Sequence, residues 1–372
     1  MKPAAMQGWA WAHKWSSLVC TAFLLILCIT GLPLLFADEL TTWVEGAPPP
    51  AVTSASVARA DLDPMVAQAR ILRPHEVVTG IFLDPDAPIV AVHMATSMAA
   101  ANANFGVVHT IKFDAATGKL LVNPAHGSVS ANRVNQVIFA LHTRLLMGGF
   151  GLALMGVMGA LFVIALVSGV VLYAPFMRRI PFGTIRFDRS VRLRQLDWHN
   201  LLSAVVLAWA LVVGVTGVFN ELNDPLFDYW SSNVVAAQAA HWKDGAPRND
   251  GRLASVQAAL QTARHALPGY TFTGIDYPGA ALNSNQHYMF WSQGNTPATA
   301  RLMTPVMIDA HDGRLTAVLP MPWYLRAIEL SRPFHFGDYG GLPLKILWLL
   351  FDLATIGVLV TGLWLRPAHK PS

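Results

Sequence analysis

Four stretches of the chain are apolar for long enough to cross a bilayer, which takes about 20 residues of helix. Residues 15–37, 145–177 and 198–220 contain no Asp, Glu, Lys or Arg. A fourth stretch, 342–365, carries only Lys345 near its start and Asp352 inside. The two long intervening segments have other patterns. Helical periodicity at 62–72 and 253–266 is followed by β-branched and aromatic runs at 77–83, 89–94 and 107–113, and at 270–276, 286–291 and 305–309. A D-x-x-T-G or D-x-x-D-G turn closes each set. Residues 46–53 and 244–251 are rich in Pro, Gly and Asp and predict linkers. The expected fold is a membrane all-α four-helix bundle with two outer α+β units. The partition is 1–37 (N-terminus and first span), 38–141 (first unit), 142–177 (second span), 178–197 (basic loop), 198–220 (third span), 221–341 (second unit), 342–366 (fourth span) and 367–372 (tail).

Composition supports this reading. Only 13% of the residues are charged and 53% are hydrophobic, whereas a soluble domain is about a quarter charged. Loop 176–197 holds Arg178, Arg179, Arg186, Arg189, Arg192 and Arg194, so it is expected in the cytoplasm. Both termini then lie on that side, with Arg366 and Lys370 after the last span, and the two units face the periplasm across a bacterial inner membrane. The same clustering makes the net charge of +4 a matter of topology rather than nucleic-acid binding. The first span follows Lys2 and Lys14 like a signal peptide, but it is long, no clear A-x-A site follows, and the third span repeats its pattern, so it is expected to be retained. Cys20 and Cys28 stand about 12 Å apart on one helix, too far for a disulfide. That excludes c-type haem attachment, iron–sulfur ligation and thiolate redox chemistry. No G-x-G-x-x-G follows a strand, so no nicotinamide or flavin domain is expected.

The chain also resembles itself. His13 precedes Thr30-Gly31 at the spacing by which His199 precedes Thr216-Gly217. His142 precedes Ser168-Gly169 as His335 precedes Thr361-Gly362. FDAATGKL from Phe113 answers IDAHDGRL from Ile308, and VTGI from Val78 answers FTGI from Phe272, the offset lying between 186 and 195 throughout. Parallel repeats of this kind predict a pseudo-two-fold axis along the membrane normal.

That symmetry sets four histidines apart from the rest. His13 and His199 fall at the cytoplasmic ends of spans one and three; His142 and His335 fall at the outer ends of spans two and four. Haem iron takes paired neutral imidazoles on either side of a flat apolar ring, and it is the leading candidate for each pair. Gly31, Gly148, Gly149, Gly151, Gly156 and Gly159 give close approach, and Trp11, Trp15, Trp198 and Trp209 give aromatic packing, although such residues also serve helix packing and the interfacial belt. Arg144 and Arg332 near the outer pair, and Lys14 and Arg194 near the inner pair, could meet propionates. Asp352 is the one acid deep in a span. It reads either as a structural partner of Lys345 or as a catalytic proton-handling residue, because its counterpart in the repeat is near Gly159.

HKWSSL from His13, WHNLLS from Trp198 and FHFGDYGGLPLKILW from Phe334 resemble the PepSY-associated transmembrane family, over nearly the whole chain. Within it, the chain is similar to the inner-membrane siderophore reductases. The resemblance implies two b-type haems on His13, His142, His199 and His335, PepSY-like outer units, and reduction of a ferric siderophore in the periplasm, with a cytoplasmic or quinol electron donor. Ser16-Ser17 and Asn200 stand where the family more often has Gly or Arg. Three rival readings remain open: a haem protein serving a quinone or periplasmic carrier, a metal or proton transporter (with His93, Met94, Met98 and His109 as a copper site), and a non-enzymatic regulator.

Overall fold

The computed structural model describes residues 3–37, 39–40, 60–85, 88–103, 107–122, 132–177, 180–240, 253–296 and 299–365. The expected linkers at 46–53 and 244–251, and Arg178, Arg179, Arg366 and Lys370, lie outside the described residues. The helices are α1 (Pro3–Leu35), α2 (Leu62–Leu72), α3 (Met98–Ala103), α4 (Asn132–Arg144), α5 (Gly148–Met177), α6 (Val191–Trp230), α7 (Ala236–Ala240), α8 (Val256–Ala266), α9 (Trp323–Phe336) and α10 (Gly341–Trp364). The strands are β1 (Val77–Leu83), β2 (Ile89–Ala95), β3 (His109–Asp114), β4 (Leu120–Val122), β5 (Tyr270–Asp276), β6 (His287–Gly294), β7 (Thr304–Asp309) and β8 (Leu315–Val318). The chain forms two compact units: a helical one from Met1–Glu45, Ser130–Asp224 and Ser331–Ser372, and a second from Gly46–Val129 and Pro225–Leu330.

In the helical unit, α1, α5, α6 and α10 are long and apolar enough to cross a membrane. Cys20, Leu24 and Cys28 of α1 pack with Met155 and Met158 of α5 and Leu359 of α10, and both cysteines are free thiols. One expectation is corrected. His142 and His335 are not at the ends of the spans but on separate helices, α4 and α9. Left-handed backbone at Leu145, Leu146 and Gly148 separates α4 from α5, and at Gly337 and Gly341 separates α9 from α10. The first break folds α4 so tightly onto α5 that a Cβ at Gly151 would fall on the Arg144 carbonyl. At the second, a Cβ on Gly337 would stand 2.8 Å from the Trp348 ring.

The second unit is built on one antiparallel sheet ordered β4-β3-β2-β1-β5-β6-β7-β8. β1 and β5 pair with Ile81 opposite Ile275, so the strands expected in the two outer segments run on in one eight-stranded sheet. Helices α2 and α8 cover one face, burying Leu62, Met65, Ala259 and Leu260 against Ile81, Phe113, Ile275 and Phe290. The two helices also cap each other. Asp63 accepts the Val256 and Gln257 amides at 3.0 and 3.3 Å, while Gln257 Oε1 accepts the Leu62 amide at 3.2 Å. Both start on a side-chain cap, Asp61 for α2 and Ser255 for α8. Trp230, Met321 and Leu325 cover the other face, packing on Met289 of β6 and Met307 of β7. Within this core Asp276 accepts the Trp291 indole N–H at 2.7 Å, and burial pushes its carboxyl above the usual carboxylate range.

Candidate functional site: four anchored histidines

The four singled-out histidines have one environment, repeated. Nδ1 of His13 donates to the Ala165 carbonyl at 2.9 Å and lies 3.3 Å from the Ser168 hydroxyl. Nδ1 of His142 lies 2.9 Å from the Thr30 hydroxyl. Nδ1 of His199 meets Val358 O and Thr361 Oγ1 at 3.1 and 3.3 Å, and that of His335 meets Val213 O and Thr216 Oγ1 at 3.0 and 3.4 Å. For His13, His199 and His335 the carbonyl belongs to the residue three before the hydroxyl, the place that Leu27 holds relative to Thr30.

The tautomer follows from this geometry. A carbonyl can only accept, so Nδ1 carries the hydrogen. The hydroxyls agree, because each gives its own hydrogen to the carbonyl four residues earlier: Thr30 to Ile26, Ser168 to Ile164 and Thr216 to Val212 at 2.7 Å, and Thr361 to Gly357 at 2.8 Å. Each hydroxyl therefore presents a lone pair to the imidazole. Nε2 is left as the lone-pair nitrogen in all four rings and makes no hydrogen bond among the described residues. A ring held by Nδ1–H on a backbone carbonyl, with Nε2 available, is oriented as a metal ligand.

Glycine completes each cradle. A Cβ on Gly169 or Gly217 would stand 3.2 Å from Cε1 of His13 or His335, and one on Gly31 or Gly362 would stand 3.4 Å from Cε1 of His142 or His199. Each histidine thus rests on the Ser/Thr-Gly pair of another span. His13 sits on α5, His142 on α1, His199 on α10 and His335 on α6. The rings fall into two pairs within electrostatic reach, His13 with His199 and His142 with His335. Among the described residues no three His, Cys, Asp or Glu converge to hold a bare ion. Two neutral imidazoles at each level suit an ion that arrives with its other ligands in place, as in haem.

The remaining predicted site residues are placed as follows. Arg144 is ion-paired with Asp224, Arg332 stacks 5.5 Å from the Phe336 ring centre and Lys14 stacks 5.4 Å from that of Trp15. Arg194 is half-buried near the start of α6. Asp352 does not pair with Lys345. Lys345 bonds Glu39 at 2.7 and 3.0 Å, because it sits near the start of α10 and its long side chain reaches the end of α1, while Asp352 lies beside Cys28 of α1. Of the candidate copper residues, Met94 is buried in the sheet core and His109 is 2.8 Å from Glu76. Sequence reasoning passed over a polar stripe on α6: Asn220, Glu221 and Asn223 each bury an oxygen that has no partner among the described residues. Its signal is a contrast within the repeat, where Leu34, Leu35 and Ala37 occupy the corresponding positions.

Four helices able to span a bilayer, joined to a separate antiparallel sheet, define a membrane protein. The chain belongs to the PepSY-associated TM region family, whose family model matches residues 10–366. A search of curated proteins finds no match.

Proposed function

We propose that the protein is an inner-membrane reductase carrying two b-type haems, which passes electrons across the bacterial inner membrane to a ferric siderophore in the periplasm. The observation that carries this reading is the fourfold Nδ1 anchoring, which leaves four Nε2 lone pairs in two pairs. His13 and His199 would hold one haem, and His142 and His335 the other. When bound, haem supplies one-electron transfer. The protein's part is to fix the imidazole tautomers, to keep the rings on their glycine floors, and to enclose both levels in apolar helix. Reduction also accounts for release of the metal, since hard siderophore oxygens hold Fe(III) far better than Fe(II). Asp352, beside Cys28 within the span, is the carboxyl that would hold or exchange a proton as charge moves.

The arginines of the α5–α6 loop support cytoplasmic termini, and the sheet unit then lies in the periplasm. We further read the chain as two PepSY-like repeats about a pseudo-two-fold axis. Matched details support that reading: bulges at Val78/Gly80 and Phe272/Gly274, and backbone bonds from Ala60 to Ala115 and from Ala254 to Ala310 at 2.8 and 2.7 Å. The electron donor is a quinol or a cytoplasmic reductant. The test is haem per polypeptide in the four single His→Ala variants. His13→Ala and His199→Ala should lose the same haem, and His142→Ala and His335→Ala the other. Retention of both haems in any variant removes that ligand. Reoxidation of reduced protein in sealed, oriented vesicles by an external ferric hydroxamate then tests acceptor and direction. Oxidation by quinone alone would favour the quinone reading.

A further inference from the structure

We infer that Asn220, Glu221 and Asn223 form a polar edge at the His142/His335 level, and that a haem held there turns its propionates toward α6. The inference rests on the di-haem reading above. Asn220 Oδ1, Glu221 Oε2 and Asn223 Oδ1 are buried and have no hydrogen-bond partner among the described residues. Native proteins rarely leave such atoms orphaned; Asn220 and Asn223 share one face of α6, and Glu221 stands on the adjoining face. Their place on the helix says which group. Asn220 is four residues, about 6 Å, beyond Thr216, which with Val213 anchors His335. Glu221 faces α5, its Cβ 3.7 Å from the point where a Gly156 Cβ would sit. The neighbouring guanidinium of Arg144 bonds Asp224 and gives these oxygens no hydrogen bond.

Haem needs apolar walls for its ring and a hydrogen-bonding edge for its two carboxylates. Carboxamide oxygen and nitrogen exchange places by rotation, so Asn220 and Asn223 can each present N–H donors to a carboxylate. Glu221 meets a carboxylate as its acid, donating O–H. In the first repeat the corresponding residues are Leu34, Leu35 and Ala37, which can donate nothing. The polar edge is therefore one-sided, and it selects one of the two ways a haem could enter between the same pair of histidines.

The test gives α6 the residues of α1: Asn220→Leu, Glu221→Leu and Asn223→Ala combined, with Asn220→Leu and Glu221→Gln as single variants. Resonance Raman propionate bending bands are recorded together with haem retention during dilution. The triple variant should keep the His13/His199 haem, which shows that the bundle has folded. Its other haem should show shifted propionate bands and roughly tenfold weaker retention for each donor removed. Asn220→Leu should do so in part, whereas Glu221→Gln, which still donates, should keep the wild-type bands. Wild-type bands and retention in the triple variant would overturn the inference and leave the di-haem reading standing. A wild-type protein that binds no haem would overturn both.

Discussion

Gly217 offers a graded probe of the histidine cradle. A Cβ there would stand 3.2 Å from Cε1 and 3.6 Å from Nδ1 of His335. Alanine asks the ring to yield by a few tenths of an ångström, costing under about 1 kcal/mol. Valine adds two branches that overlap the ring, so the imidazole must leave the Val213 carbonyl. Overpacking of this kind costs about 1–3 kcal/mol, and the lost hydrogen bond about 1 kcal/mol more. Together these come to about 2–4 kcal/mol, or roughly thirty- to a thousandfold in affinity for a group ligated by His335. The assay is titration of the apoprotein with haem, following the two sites by their spectra. Gly8→Val is the control, since nothing lies within 4 Å of its Cβ position. Gly217→Val should empty the His142/His335 site and spare the other, with Gly217→Ala in between. Equal affinities for Gly217→Val and the wild type would refute the claim that the glycine sets the imidazole's position.

Asp352→Asn should keep both haems, because it alters neither a histidine nor an anchor of one, while slowing ferric-chelate reduction and changing its pH profile. An unchanged profile in vesicle assays would leave Asp352 a purely structural link. Asp276→Asn should raise the melting temperature near pH 7. Burial lifts the Asp276 pKa above 3.8, so the folded state holds its proton more tightly and stability falls as pH rises through that window. Below about 3.8 the two proteins should melt together, and a constant difference at all pH values would contradict the cause. Tyr288→Phe removes the 2.9 Å bond from the Tyr288 hydroxyl to the Ala254 carbonyl and should cost about 1 kcal/mol in chemical denaturation. Leu62→Ala, opening the core beneath α2, should cost about 2–5 kcal/mol in the same measurement.

The spans were legible because a bilayer imposes one long apolar period on each. The strands were legible because β-branched and aromatic runs stop at turn residues, as at Asp114 to Gly118. The joining of β1 to β5 was not. Edge pairing depends on backbone groups, which carry no side-chain pattern, and near-continuous burial along β6 and β7 gives no alternation from which to assign faces. The histidines and the Ser/Thr-Gly pairs were visible as spacings, but which pair would meet which histidine was not. Packing exchanges them between helices, because a ring at one end of a span can reach only the neighbouring helix. Helices α4 and α9 were missed as separate elements since their breaks lie in backbone dihedrals, two of them at leucines. The Asn220–Asn223 stripe was overlooked because it falls just past an uncharged run, where polar residues are expected at any helix end.

The continuous sheet has a consequence for how the chain is made. When β1 to β4 have emerged, β1 is an open edge with a full row of unsatisfied amides and carbonyls, and such edges recruit other chains. Its partner β5 is not synthesised until α5 and α6 have been completed, on the order of seven to thirty seconds later at ordinary translation speeds. During that interval the nascent protein exposes an adhesive strand beside buried-type side chains such as Ile81 and Leu83. A chain stalled or truncated before Tyr270 should therefore be an aggregating or proteolysed species rather than a functional half-protein.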